Sequence, residues 1–312
     1  MKKQTWVCLT LATALFLGGC HLRPGTPAPG DTTPSTQVTL PTDPTTGPTD
    51  PPTVPTEPPA TELRTGWYDI GQERYYYDET GVMLTGWQTI DDTQYYFRED
   101  GTMSRGKVII DGVPHFFSSA GVPILLVNPW YTVPAGYEAD LVALSTSIST
   151  SGQKVDRSCY DALLQMIADC NKECPKVCVV SSHRTHSYQE GLFQKKVNFY
   201  LNQGYGQEEA VKLAGTVVAV PGTSEHQLGL AVDIIDTRSW NLNEGQADLP
   251  AQQWLMENSW KYGFILRYPK DTTEETGIIY EPWHYRYVGK EVAKELHESG
   301  MTLEGYINSL TK

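Results

Sequence analysis

The sequence predicts an α+β domain, a small antiparallel sheet with helices, preceded by a β-hairpin repeat module. Three observations lead there. Leu163, Leu164, Met166 and Ile167 give an apolar stripe at helical spacing between about Ser158 and Asp169. Short runs at Val177-Cys178-Val179-Val180, Val232-Asp233-Ile234-Ile235 and Trp283 to Val288 read as the strands of a small sheet. Upstream, aromatic triplets and turn glycines recur at a fixed short period, the mark of stacked hairpins that cannot bury their faces alone.

Residues 1–19 read as an export signal. Lys2 and Lys3 precede an apolar run from Trp6 to Leu17 that is too short to span a bilayer in the mature chain. Leu17-Gly18-Gly19-Cys20 resembles the bacterial lipobox, which implies a lipidated Cys20 and a membrane anchor. Residues 20–62 form a Pro/Thr-rich linker holding more than half of the chain's 21 prolines. Such a segment buries too little apolar surface to fold and is biased toward polyproline II. At about 3.1 Å per residue it reaches on the order of 100 Å, a spacer that lifts the remainder off the membrane.

The repeats occupy residues 63–124. Gly66-Trp67 recurs as Gly86-Trp87 and, degenerately, as Gly106-Lys107; Tyr75-Tyr76-Tyr77 recurs as Tyr95-Tyr96-Phe97 and His115-Phe116-Phe117. Gly81, Gly101 and Gly121 keep the same phase. The pattern resembles the choline-binding, cell-wall repeats of Gram-positive surface proteins. In that family aromatic residues of adjacent hairpins cage the choline ammonium. The resemblance marks Trp67, Trp87, Tyr76 and Tyr96 as wall-binding residues. Tyr75, Tyr95 and His115 stand where the family has tryptophan, which favours wall attachment or a structural spacer over a choline site.

Residues 125–312 have ordinary globular composition. The strand at Val177 delivers Ser181-Ser182-His183-Arg184-Thr185, and Tyr188 to Leu201 is expected to be helical. Pro250 near a start and Gly263 past an end bracket another helix, bearing Trp254 and Leu255.

Two stretches carry the chemistry: Ser224-Glu225-His226-Gln227-Leu228-Gly229-Leu230-Ala231-Val232-Asp233 and Glu281-Pro282-Trp283-His284-Tyr285-Arg286. His226, Asp233 and His284 offer two imidazoles and a carboxylate to one divalent metal. Three such ligands leave a fourth position open, and Glu281 is a spare carboxylate beside it. Both stretches resemble the motifs of VanY-type zinc D-Ala-D-Ala peptidases, S-x-H-x-x-G-x-A-x-D and E-x-W-H, at every defining position. The lead-in from Asn128-Pro129-Trp130 to Asp140-Leu141 also resembles that family, so the likeness covers roughly residues 128–300.

The resemblance implies one Zn2+ ion on His226, Asp233 and His284, with Glu281 as the proton-moving base. It places Arg184, within S-x-x-R-[ST], as the substrate or oxyanion arginine, and Ser224 and Gln189 as substrate contacts. The implied reaction is zinc-activated hydrolysis of the terminal D-alanyl-D-alanine bond of peptidoglycan stem peptides, releasing D-Ala. Rival readings are a D,D-dipeptidase or an endopeptidase on the same scaffold, or an inert wall-binding lipoprotein. His183 and His186 are expected on the pocket wall or surface. Arg267 and Arg286 are expected to support the fold, and Trp283 to pack beneath the site.

The net charge of -13 and the lack of a basic cluster exclude a nucleic-acid footprint. The expected partners are a stem peptide, the wall polymer and, through lipid, the membrane; the chain is expected to be a monomer. The expected location is the outer face of the membrane and the wall of a Gram-positive-type bacterium. Cys159, Cys170, Cys174 and Cys178 cluster; in an exported chain that favours disulfides, with three pairings open and free buried thiols as the alternative. The family resemblance favours Cys170–Cys178.

Overall fold

Three hairpins repeat every twenty residues at the start of the described chain. They are Gly66–Ile70 (β1) with Glu73–Tyr77 (β2), Gly86–Ile90 (β3) with Thr93–Phe97 (β4), and Gly106–Ile110 (β5) with Val113–Phe117 (β6). Pro123–Ile124 (β7) joins the edge of β6. This computed structural model describes residues 63–311; the export signal, Cys20 and the whole of the linker expected above lie outside them.

Two-residue turns close the hairpins. Asp91 and Asp92 both take positive φ, 49° and 60°, as a turn whose twist matches a hairpin requires. Each hairpin is its own small sheet, so side chains join one to the next. Trp67 meets Tyr95 edge-on at 5.0 Å, and Trp87 meets His115 at 5.4 Å and Phe117 at 5.8 Å. The phased glycines have a steric reason: Gly101 sits at φ 80°, and a Cβ there would run into the Met83 side chain. Gly101→Ala is expected to cost about 1–3 kcal/mol. The check is faster amide exchange in β1–β4 while the rest of the chain is unchanged.

The third hairpin is joined to the globular part. Phe116, Ile124 and Leu126 share a core with Ile265, Val292, Leu296, Leu303, Tyr306 and Ile307. Lys107 N donates to Thr311 Oγ1 at 2.9 Å, and Ser119 N to the Tyr306 hydroxyl at 3.0 Å. The described residues, 63–311, belong to one compact unit.

The globular part adds strands Leu141–Ala143 (β8), Lys154–Asp156 (β9), Val177–Ser181 (β10), Ala231–Asp236 (β11), Phe264–Leu266 (β12) and His284–Tyr287 (β13). Its helices are Arg157–Glu173 (α1), His186–Asn202 (α2), Gln207–Gly215 (α3), Pro250–Asn258 (α4), Thr273–Thr276 (α5), Lys290–Ser299 (α6) and Leu303–Leu310 (α7). The main sheet is antiparallel in the order β10-β11-β13-β12, which bears out the α+β prediction. Asp156 caps α1 by accepting from Ser158 N. Cys159, Leu163, Met166, Ile167 and Cys170 recur on one face of α1 and pack against Val177, Val179, Val232, Ile234 and Tyr285. Among the described residues, no helix is long and apolar enough to cross a membrane.

The cysteine expectation is corrected. Cys159, Cys170, Cys174 and Cys178 are all free thiols. Strand alternation explains why Cys170 and Cys178 stay apart. Val177 and Val179 face the core that holds Cys170, so Cys178 between them points to the opposite face of the sheet. Burial pushes the Cys159 and Cys170 thiols up to about 12. Native protein should therefore alkylate slowly at those two positions at pH 8, whereas all four thiols label in denaturant; mass spectrometry reads both.

Candidate metal centre

The β11–β13 ladder sets Asp233 directly opposite His284. His226 arrives from a short 3-10 turn, Glu225–Leu228, which ends at Gly229 with φ 73° and leads straight into β11. That left-handed residue lets a loop-borne imidazole fold back over a strand-borne carboxylate. All three side chains are buried, and one ligand atom from each lies within 4.8 Å of the others.

Each donor is already oriented. His226 Nδ1 lies 2.8 Å from the Ser182 carbonyl, so it carries the proton and leaves Nε2 as the lone pair, 3.4 Å from Asp233 Oδ2. His284 Nδ1 stands 3.1 Å from Asp233 Oδ1 and 3.6 Å from Glu281 Oε2. Its Nε2 faces Glu225 Oε2 at 3.7 Å. Asp233 Oδ1 is buried with no hydrogen-bond partner, as is His284 Nε2. An unpartnered buried carboxylate oxygen beside two ring nitrogens fits a divalent cation, and the N,N,O set suits zinc.

The electrostatics agree. Burial and the Arg184 charge push His226 down to about 4, so it stays neutral. Burial also opposes the charged form of His284, but Asp233 and Glu225 outweigh it and raise the ring to about 9. Asp233 is held well below the usual carboxylate range, because His226, His284 and Arg184 overcome its burial. Glu281 moves the other way. Burial, reinforced by the Asp233 charge, lifts it to about 8 against the pull of His284 and Arg184. Two neighbouring carboxylates are thus driven apart, one kept ionised and one able to carry a proton.

Arg184 N donates to the His226 carbonyl, which fixes the arginine beside the site. Its Nη2 donates to Asp233 Oδ2 and Ser181 Oγ, both at 2.7 Å, and its Nε to Ser181 Oγ at 2.9 Å. Arg184, Ser224, Glu281 and the three candidate ligands line one cleft of about 680 Å³, with Trp283 on its wall. Gln189 departs from expectation: it is fully buried, donates to the Ala219 carbonyl and sits 3.4 Å from Arg184 Nη1. It backs the arginine and does not line the cleft. His183 is partly buried on the chain entering α2, and the exposed His186 begins that helix; neither joins the cluster.

Sequence reading missed Glu225. Its carboxylate is buried behind His284, with Oε1 2.8 Å from both Arg267 Nε and Arg286 Nη1. Arg267 in turn grips Glu304 through both terminal nitrogens. The signal was present: two arginines following apolar runs demand a buried acid, and Glu225 adjoins His226. In the repeats, Trp67 meets Tyr76 at 5.1 Å and Trp87 meets Tyr96 at 5.2 Å across their hairpins. The Arg74 guanidinium stands 4.8 Å over the Trp67 ring.

A metal-binding trio on an antiparallel sheet, with a proton-carrying carboxylate in the same cleft, places the chain among metallopeptidases. Comparison with known proteins sharpens this. The family described as D-alanyl-D-alanine carboxypeptidase (VanY) matches residues 152–290, and choline-binding and cell-wall-binding repeat families match residues 84–121 and 65–83. A D-alanyl-D-alanine carboxypeptidase of Enterococcus faecalis is 41% identical over 187 residues, covering 60% of this chain and 66% of that one. A Bacillus subtilis protein described as "Putative carboxypeptidase YodJ" is 36% identical, covering 61% and 68%. This chain thus spans about two thirds of the length of those relatives. Among solved structures, a vancomycin resistance D,D-pentapeptidase VanY in complex with Zn(II) is 40% identical, with a TM-score of 0.53 over 59% of this chain and 98% of that one. The LD-carboxypeptidase LdcB is 36% identical, with a TM-score of 0.52 over 60% and 86%. The chain belongs to the VanY family of D-alanyl-D-alanine carboxypeptidases.

Proposed function

We propose that this chain is a zinc-dependent carboxypeptidase that removes the terminal D-Ala from peptidoglycan stem peptides. The observation that carries the reading is the convergence of His226, Asp233 and His284, with Asp233 Oδ1 unpartnered, beside a buried Glu281. His226, Asp233 and His284 would hold one zinc ion, which when bound would supply Lewis acidity for hydrolysis at neutral pH. Glu281 takes the proton of the attacking water and returns it to the departing amine of D-Ala. In the metal-free chain burial raises this carboxyl to about 8, and a cation bound beside it would draw it back toward the ionised form that a base needs. Arg184 orients Asp233, and its place on the cleft wall lets its positive charge stabilise the charge that develops on the scissile carbonyl oxygen. Ser224, on the cleft wall, contacts the peptide.

The remaining segments serve delivery in this reading. Residues 1–19 direct export, Cys20 carries lipid, residues 20–62 act as spacer, and residues 63–124 hold the wall through Trp67, Trp87, Tyr76 and Tyr96. Residues 125–312 form the peptidase. Tethering outside the cytoplasm raises the local concentration of stem peptide without altering the site.

Ligation requires a neutral His284, whose ring sits at about 9 in the metal-free chain. Zinc uptake at pH 7 is therefore expected to release at least one proton, and affinity should climb as pH rises toward 9. Calorimetry in buffers of different ionisation enthalpy counts the protons. The function itself is tested by product analysis on a pentapeptide ending in D-Ala-D-Ala, a tetrapeptide ending in an L,D bond, and free D-Ala-D-Ala. Release of one D-Ala from the pentapeptide supports the reading. Preference for the tetrapeptide or the free dipeptide moves the cut and keeps the metal centre.

A further inference from the structure

One wall of the cleft is a helix face whose charges the mechanism leaves unused. Leu192, Lys195, Lys196 and Phe199 of α2 line the cleft at i, i+3, i+4 and i+7, stacked on one side of the helix. Gln189, two turns before Lys196, buries the start of this same face, whereas Val197 packs inward about 100° further round the helix. Lys196 is partly buried, its ammonium 5.2 Å from the Phe199 ring centroid, and this contact keeps the charge at the wall.

Three cations border this cleft, and they are committed differently. Arg184 gives its donors to Ser181, Asp233 and Gln189. Among the described residues the lysines held in ion pairs are Lys172 and Lys294, so neither Lys195 nor Lys196 has a carboxylate partner.

Resting on the carboxypeptidase reading, we propose that Lys196, seconded by Lys195, binds a carboxylate of the peptide substrate and so decides which peptides the cleft accepts. An ammonium is a compact charge that pairs with a carboxylate from several directions, suiting a flexible peptide. Leu192 and Phe199 on either side give the flanking methylenes an apolar bed. A stem peptide offers that carboxylate from two places: its C-terminus, and an acidic residue upstream of the scissile bond.

Steady-state kinetics of the zinc-loaded chain separate these sources. Two pentapeptides ending in D-Ala-D-Ala are compared, one with a free carboxylate upstream and one amidated there. Calorimetry on Glu281→Gln protein measures binding of both, and of the C-terminal amide of the first. Lys196→Met is expected to raise KM for the acid-bearing peptide about tenfold with kcat within about twofold, and Lys196→Arg to recover most of the loss. A rise confined to the upstream acid assigns that group. An equal rise on both pentapeptides, with binding of the C-terminal amide indifferent to Lys196→Met, assigns the terminal carboxylate. Unchanged KM and unchanged binding throughout, or a fall in kcat alone, overturns the proposal. A wild-type chain that turns over neither pentapeptide sinks the carboxypeptidase reading instead, and the calorimetry still decides the lysine.

Discussion

Glu281→Gln is expected to lower D-Ala release by about 10²–10⁴-fold while zinc remains bound at one equivalent. The glutamine keeps the shape and burial of the side chain but cannot carry a proton between water and amine. Glu281 lies 3.6 Å from His284 Nδ1 and in the same cleft, so its loss removes a proton carrier without removing one of the three candidate ligands. Paired rate and metal-content measurements check this. The substitution has a second consequence in the metal-free chain. Burial raises the folded-state carboxyl from 4.5 to about 8, so the native protein holds a proton that the unfolded chain has released. Stability conferred by that proton is complete below about 4.5 and is lost as pH rises through 8. Glu281→Gln is expected to flatten this dependence, which denaturant titrations across that range would record.

Glu225→Ala is expected to be the most damaging single change to the fold, costing about 3–5 kcal/mol. Glu225, Arg267 and Arg286 are almost wholly excluded from solvent, and the one Glu225 oxygen stands 2.8 Å from both guanidinium groups. Removing it leaves Arg286 with buried positive charge and no acid, while Arg267 retains Glu304. The same carboxylate faces His284 Nε2, so the change also frees that ring to turn. A lowered unfolding midpoint together with weakened zinc affinity is the expected pair of results. Lost affinity at unchanged stability would mean that the ion cluster only orients the ring.

The site was more legible than its supports. His226, Asp233, Glu281 and His284 were readable because two motifs matched a family resemblance in residue types suited to metal and proton chemistry, and β11 and β13 set Asp233 opposite His284. The main strands and α1, α2 and α4 followed from periodicity and end signals, with boundaries moving by a few residues. For α1 the helix runs on to Glu173, because Cys170 continues the buried stripe past Asp169. The reading passed over α3, α6 and α7, although Val292, Ala293 and Leu296 of α6 keep a helical spacing ahead of Gly300. In α7, Leu303, Tyr306 and Ile307 pack against both α6 and the third hairpin. Glu225 went unread because, although two arginines called for a buried acid, tertiary packing over forty or more residues decides which acid answers them. The cysteine cluster misled because nearness in sequence says nothing about the face of a strand from which a thiol projects.

The most direct test of the central claim is a zinc titration of the metal-stripped chain against D-Ala release from a pentapeptide ending in D-Ala-D-Ala. Release that rises linearly and saturates at one zinc per chain, and that is absent when His226, Asp233 or His284 is replaced by Ala, is the predicted result. Release that persists in metal-stripped protein, or that survives loss of any of the three side chains, would contradict it.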